Sequence, residues 1–364
     1  MNINLDLLCD SSRKSFVLNE NTPLNFGRLR TDHIFLMDYQ DSNWLNPRIV
    51  PYDKLSVSPG CMAIHYGQSI FEGAKAFLHD DNHVYGFRID QNFKRLNQSA
   101  EILSMPAIPI EMQLAGLRAL IQVDKQWMPT QPGSSMYIRP FMFATDDDFA
   151  VRPSETYTFG IILSPSGSYY PNGISKAITL LISETYHRAV KGGTGNAKAA
   201  GNYAASLRAQ SQAKQHGADQ VLYLDSTNTY LEEVGAMNHF HITADNELII
   251  PTFTDTILES ITSRSILELS KVIQSEIGLV PNQQTIKKDA FLQGIDDKYI
   301  LEAGGFGTAA VATSVGKYLL ESGRSYTVGN GLVGTKTKQI YSLYNAIQQG
   351  KHSAPAGWLE KLSD

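Results

Sequence analysis

Lys191-Gly192-Gly193-Thr194-Gly195-Asn196-Ala197-Lys198-Ala199-Ala200-Gly201-Asn202-Tyr203 is the stretch on which the reading of this 364-residue chain turns. Glycines crowd two lysines, as in a loop that cradles phosphate. The P-loop pattern fails, because Ala197 precedes Lys198 and Ala199 follows it where that loop needs Gly-Lys-Ser/Thr. The dinucleotide fingerprint fails as well, since no third glycine follows Gly193 and Gly195 at the right offset. What remains is Lys198 among residues small enough for a ring and its phosphate to approach the backbone. Tyr203 stands near the start of the following helix, where its phenol could reach back to a ring substituent beside the lysine. Read alone, the stretch is first a glycine-rich surface loop with solvated lysines.

Four other segments offer chemistry. Tyr230-Leu231-Glu232-Glu233-Val234-Gly235-Ala236-Met237-Asn238 sets two acids side by side on a strand pattern. Alternation sends them to opposite faces, so if one meets water the other points inward. A buried carboxylate needs a cation or donors, and a pyridinium nitrogen would serve. An edge strand with both acids solvated is the alternative. Ser260-Ile261-Thr262-Ser263-Arg264 precedes Ile266, Leu267, Leu269, Val272 and Ile273 at helical spacing. That predicts a helix start whose bare amides suit a phosphate, or ordinary capping by Ser or Thr. Gly304-Gly305-Phe306-Gly307-Thr308-Ala309-Ala310 interrupts a strand and offers a hydroxyl and bare amides, or marks a bulge. On Ser135-Met136-Tyr137-Ile138-Arg139-Pro140, alternation puts Tyr137, Arg139 and Phe141 on one face. A phenol beside a guanidinium can receive a carboxylate; a surface arginine lying along apolar neighbours is the plainer possibility. His239 and His241 share a strand face without a recognisable third ligand, and Asp146-Asp147-Asp148 lacks the spacing of a calcium loop, so no metal is expected.

Around these motifs the periodicity switches between two and 3.6. Strands are predicted at 31–39, 135–143, 159–163 and 177–182, with hairpin arms at 74–78 and 84–87. Helices are predicted at 92–104, 110–127 and 202–216 and from about residue 262. A hairpin spans 220–251, and paired strands run from 299 to about 328. The mixture is α+β, in two parts. Turn formers cluster most densely at 164–173 (SPSGSYYPNG), which predicts a domain over 1–168, an interdomain linker at 169–180 and a second domain over 181–364. The net charge of −5 is scattered, so neither nucleic acid nor membrane is expected as a partner. Cys9 and Cys61 cannot build a disulfide framework. The first residues carry Asp6 where a signal peptide would be basic, and no run approaches a membrane span. A cytoplasmic protein is the expectation.

Taken together, the order and spacing of these segments resemble the branched-chain amino acid aminotransferases of the fold-type IV pyridoxal phosphate enzymes. The resemblance runs from about residue 26 to about residue 346. It includes His65-Tyr66-Gly67 with Phe71-Glu72-Gly73, Phe93-Lys94-Arg95-Leu96, Tyr137-Ile138-Arg139-Pro140, Lys191 to Tyr203, Glu233-Val234-Gly235 with Met237-Asn238, and Gly307-Thr308-Ala309. It implies a smaller N-terminal α/β domain and a larger C-terminal pseudo-barrel domain. It further implies pyridoxal 5′-phosphate as cofactor, transamination of L-leucine, L-isoleucine and L-valine with 2-oxoglutarate, and a homodimer. By resemblance Lys198 forms the Schiff base, Glu233 meets the pyridine nitrogen and Tyr203 the ring hydroxyl. Arg95, Ile261, Thr262 and Thr308 contact the phosphate. Tyr66, Phe71, Tyr137 and Tyr169 line the substrate pocket, Thr308 and Ala309 receive the substrate carboxylate, and Phe149 and Val151 reach a neighbouring subunit; Arg139 beside Tyr137 is the candidate for the second carboxylate of glutamate. Some mammalian relatives carry a redox CxxC just beyond Gly-Thr-Ala; here the stretch reads Ala309-Ala310-Val311-Ala312-Thr313, so thiol regulation there is not expected. A D-amino acid aminotransferase or an aminodeoxychorismate lyase would share the lysine and the acid, and a nucleotide-binding protein is the rival from another class.

Overall fold

The computed structural model describes residues 1–9, 11–14, 22–170 and 173–363. The chain forms two compact units. One comprises Met1–Pro171, Ala197–Gly201 and Ala346–Asp364; the other comprises Asn172–Asn196 and Asn202–Asn345. Residues 171 and 172, inside the expected linker, lie outside the described residues. Two segments depart from a simple division along the chain. The short stretch around Lys198 packs with the first unit, and so does the C-terminal segment, whose strand Leu359–Lys361 pairs with Val84–Phe87. The unit that carries the N-terminus is consequently the larger, where the resemblance implies the smaller.

In the first unit the described strands make one sheet. Its order is Asn4–Leu5, Asn43–Pro51, His33–Gln40, Tyr157–Ser166, Ser135–Ala144, Ala74–Leu78, Val84–Phe87 and Leu359–Lys361. Alternation along Ser135–Ala144 sends Met136, Ile138 and Met142 into a core with Phe35, Met37 and Phe159. Helices Ile89–Ile102 and Ile110–Val123 cover that face with Phe93, Leu96, Leu117 and Leu120. Pro140 sits mid-strand, where a missing N–H would normally break a ladder. It is tolerated because the neighbouring chain interrupts its pairing there: Phe71 pairs with Phe141 and Ala74 with Ile138. Across the gap Glu72 N donates to Pro140 O at 2.8 Å.

The second unit is a closed barrel. Ile178–Ser183, Gln220–Leu224, Leu231–Val234, Met237–Thr243, Ile300–Gly307 and Val311–Leu320 pair in a ring, because Leu231–Val234 bonds to both Gln220–Leu224 and Met237–Thr243. The 220–251 segment is therefore four strands rather than one hairpin. Gly304 to Gly307 keep continuous register with Ser314 to Val311, so no bulge lies there. Glycine at 304 is a matter of space: a Cβ would overlap the Thr313 carbonyl and the Phe240 ring. His239 and His241 are buried against Phe291, with Tyr318 beside Phe291. Burial pushes His241 down to about 4 and His239 well below its ordinary value.

Folding thus favours neutral His241. Its contribution is complete above about pH 6.5 and is lost as pH falls toward the folded value of about 4, where an unfolded His241 takes up a proton that the folded one refuses. The loss is about 3 kcal/mol. The urea midpoint should fall between about pH 7 and about pH 4.5, and fall less in His241→Leu; equal falls would contradict this.

Candidate active site

Lys198 is clamped through its backbone. Its N–H donates to Ser99 Oγ at 2.9 Å and its carbonyl accepts from Phe71 N at 3.1 Å, while Ala199 bridges to Ile70. The stretch behaves as a short extra strand on Ser69–Phe71. Lys198 Nζ lies 5.0 Å from the Phe71 ring centroid, an ammonium over an aromatic face. Beside it Glu72 is fully buried. Arg95 grips its carboxylate with Nε and Nη2 at 2.6 and 2.9 Å, and Asn92 Nδ2 adds a bond at 2.9 Å. Burial opposes ionisation of Glu72, but the Arg95 guanidinium, with Lys198 nearby, holds its carboxyl below the usual range.

Tyr137 and Arg139 share a face as alternation predicts. Arg139 Nη2 donates to Tyr137 Oη at 2.9 Å, and the guanidinium lies 4.8 Å from the Phe71 ring centroid. Phe26 meets Tyr137 edge-on. Lys75 is directly opposite Tyr137 in register, and burial pushes its ammonium down to about 8. Phe71, Tyr137 and Arg139 therefore gather with Lys198. The Tyr66 hydroxyl donates to Phe149 O. Phe149 and Val151 are 70% and 86% exposed, and Tyr169 is exposed too.

In the second unit Glu233 and Tyr203 line one small pocket with Arg188, Ser206, Gln210 and Ala236. Glu232 and Glu233 are both buried, so neither meets water as alternation would allow. The cause is a β-bulge: Leu222 pairs with Val234 but Leu224 with Leu231, so both acids oppose Tyr223. Glu233 Oε1 accepts from Leu258 N at 2.7 Å. Its Oε2 lies 3.3 Å from Arg188 Nε. Asn238 ties this acid to a helix start, since its Nδ2 approaches Glu233 Oε1 at 3.5 Å while its Oδ1 accepts from Ser260 N at 3.1 Å.

That helix is Ile261–Glu268, and Ser260 caps it, accepting from Ser263 N at 3.3 Å. Capping and an anion site are compatible here. The cap takes the Ser263 amide and leaves those of Ile261 and Thr262 at the open end of the helix. The Ser263 hydroxyl is buried without a partner. Thr308 and Ala309 lie in the turn between Ile300–Gly307 and Val311–Leu320, and Ile261–Glu268 packs on the first of these strands. Sequence reasoning gave no role to Arg188, Glu72 or Asn238. The last two sit inside quoted motifs, whereas Arg188 has no local signature. Among the described residues no group of three or more His, Cys, Asp and Glu could hold a metal ion. No helix among them is long and apolar enough to cross a membrane.

Comparison with known proteins gives the family. A family model for class IV amino-transferases matches residues 69–289. Branched-chain-amino-acid aminotransferase 2 of Bacillus subtilis (strain 168) is 44% identical, over 93% of this chain and 92% of that protein. The branched-chain-amino-acid aminotransferase of Mycolicibacterium smegmatis is 37% identical, over 97% and 95%. The solved structure of the Escherichia coli branched-chain amino acid aminotransferase superposes with a TM-score of 0.71 at 27% identity, covering 91% of this chain and 99% of that one. The chain belongs to the class IV amino-transferases and is an aminotransferase of fold-type IV. Within that class it stands among the branched-chain-amino-acid aminotransferases. Its cofactor is pyridoxal 5′-phosphate. The residues present fit that group: a buried carboxylate in a pocket for a cationic ring nitrogen, and helix-end amides with an orphaned hydroxyl for a phosphate.

Glu72→Leu removes the carboxylate that Arg95 Nε and Nη2 grip. It should lower folding stability by about 3–5 kcal/mol, read from the urea midpoint; a loss under about 1 kcal/mol would show that the pair carries no weight.

Proposed function

We propose that the enzyme transfers the amino group of L-leucine, L-isoleucine and L-valine to 2-oxoglutarate, releasing branched 2-oxo acids and L-glutamate. The observation that carries this reading is the wall beside Lys198: aromatic Phe71 and Tyr137, with Arg139 fixed against both rings. The rings suit an aliphatic side chain. Arg139 suits the second carboxylate of glutamate, which the same pocket must accept in the other half-reaction.

When bound, the cofactor supplies the electron sink for breaking the bond to hydrogen at the amino acid's Cα. Lys198 is the covalent anchor. Its free amine would carry the proton from the substrate Cα to the cofactor carbon. Glu233 holds a proton at the ring nitrogen, and Tyr203 bonds to the ring hydroxyl. Arg95 and the backbone of Ile261, Thr262 and Thr308 grip the phosphate. Thr308 and Ala309 receive the substrate carboxylate, and Tyr66 and Tyr169 complete the pocket wall. A homodimer belongs to the same reading, with exposed Phe149 and Val151 reaching the partner's pocket; so does a division at 1–168, 169–180 and 181–364. The free thiols Cys9 and Cys61 favour a reducing, cytoplasmic setting.

Glu233→Ala should still bind pyridoxal phosphate yet lose several orders of magnitude in turnover; near-normal turnover would mean another acid serves the nitrogen. In a panel of L-leucine, D-alanine and aminodeoxychorismate, only L-leucine with 2-oxoglutarate should turn over well. Preference for either of the others would replace the proposed reaction with one of its fold-type IV rivals.

A further inference from the structure

One buried acid has no part in the reaction just described. Glu232 is 3% exposed, and its Oε2 is buried with no hydrogen-bond partner. Its Oε1 accepts from the Thr256 hydroxyl. The same Thr256 presents its carbonyl to Arg188 Nη2, which also donates to Gly195 O at 3.0 Å. Arg188 Nε then stands 3.3 Å from Glu233 Oε2, as an ion pair without the alignment of a hydrogen bond. Glu232, Thr256, Arg188 and Glu233 thus form one chain of contacts.

Gly195 lets the loop join that chain, because a Cβ there would overlap Ala189 and the Thr256 backbone. The loop is held on the same segment by Gly192 N to Asp255 Oδ2 and Asn196 N to Asp255 O, each 3.1 Å. The other charged or titratable groups acting on Glu232 are Asp225 and His187. Asp225 is occupied by Thr227 and the amides of Thr229 and Tyr230, and His187 by Asn228. Burial raises the Glu232 carboxyl above the usual range, with Thr256 and Arg188 partly offsetting it.

We propose that Glu232 is a positioning residue: through Thr256 it fixes Arg188 against Glu233, and so sets how firmly Glu233 holds the ring nitrogen. This rests on the reading that Glu233 serves that nitrogen. Thr256 cannot turn away while its hydroxyl is held, and Arg188 is bonded to the Thr256 carbonyl. Loosening either end lets the guanidinium drift along the Glu233 carboxylate.

The test is Glu232→Leu beside Glu232→Gln. Leucine removes the carboxylate that holds the Thr256 hydroxyl and leaves it only the Thr254 hydroxyl at 2.9 Å, which should weaken pyridoxal phosphate affinity and lower kcat by about tenfold each, with KM for L-leucine unchanged. It should also shift the pH midpoint of the bound cofactor's visible band. Glutamine keeps an oxygen for Thr256 and should restore most of the affinity and kcat. If Glu232→Leu does not fold, Thr256→Val breaks the link from the other end and should give the same pattern. Wild-type affinity, band titration and kcat in a folded Glu232→Leu or Thr256→Val protein would overturn the proposal. A glutamine variant as impaired as leucine would also overturn it, assigning the effect to charge rather than position. Failure of the underlying reading looks different: Glu233→Ala would turn over normally, whereas here Glu233 stays essential while its neighbour proves idle.

Discussion

Glu233 keeps a carboxylate out of water, and much of the second unit is arranged around the several kcal/mol that this costs. An amide from Leu258, the Asn238 side chain and the Arg188 guanidinium converge on it. A β-bulge aims it, Gly195 brings the loop close enough to hold Arg188, and Asn238 carries its position to the helix start at Ser260. Acid, cation and the helix start at Ser260 are therefore one connected structure.

The first unit meets the matching problem for a cation. Lys198 is held by its backbone. The bonds to Ser99 and Phe71 take only main-chain atoms of Lys198, and its amine lies over the Phe71 ring. Glu72, the acid whose charge acts on it, is already gripped by Arg95 and Asn92. The gap opposite Pro140 directs that arrangement, because it lets the chain at Glu72 and Gly73 turn away from regular pairing.

Periodicity made most elements legible. Strand Ser135–Ala144 and helix Ile110–Val123 show it plainly, since one face of each is buried by residues at the expected spacing. The candidate site was legible only as motifs, because Lys198, Glu233 and the 260–264 stretch each set a residue type at a fixed offset. What escaped is what depends on distant pairing. Alternation could not show that a one-residue bulge opposite Tyr223 buries both Glu232 and Glu233. Nothing local to Arg188 announces that it meets Glu233, and no composition cue places the C-terminal strand beside Val84–Phe87. Closure of the barrel likewise depends on Leu231–Val234 having two partners at once.

The glycines around Lys198 first suggest a lysine that grips phosphate. The structure favours another division of labour, with amides at Ile261 and Thr262 suited to the phosphate and Lys198 set against the aromatic wall. Borohydride reduction of the protein loaded with pyridoxal phosphate, followed by peptide mass spectrometry, tests this most directly. The account predicts one pyridoxyl adduct, on Lys198. An adduct on Lys191, or none, would contradict it.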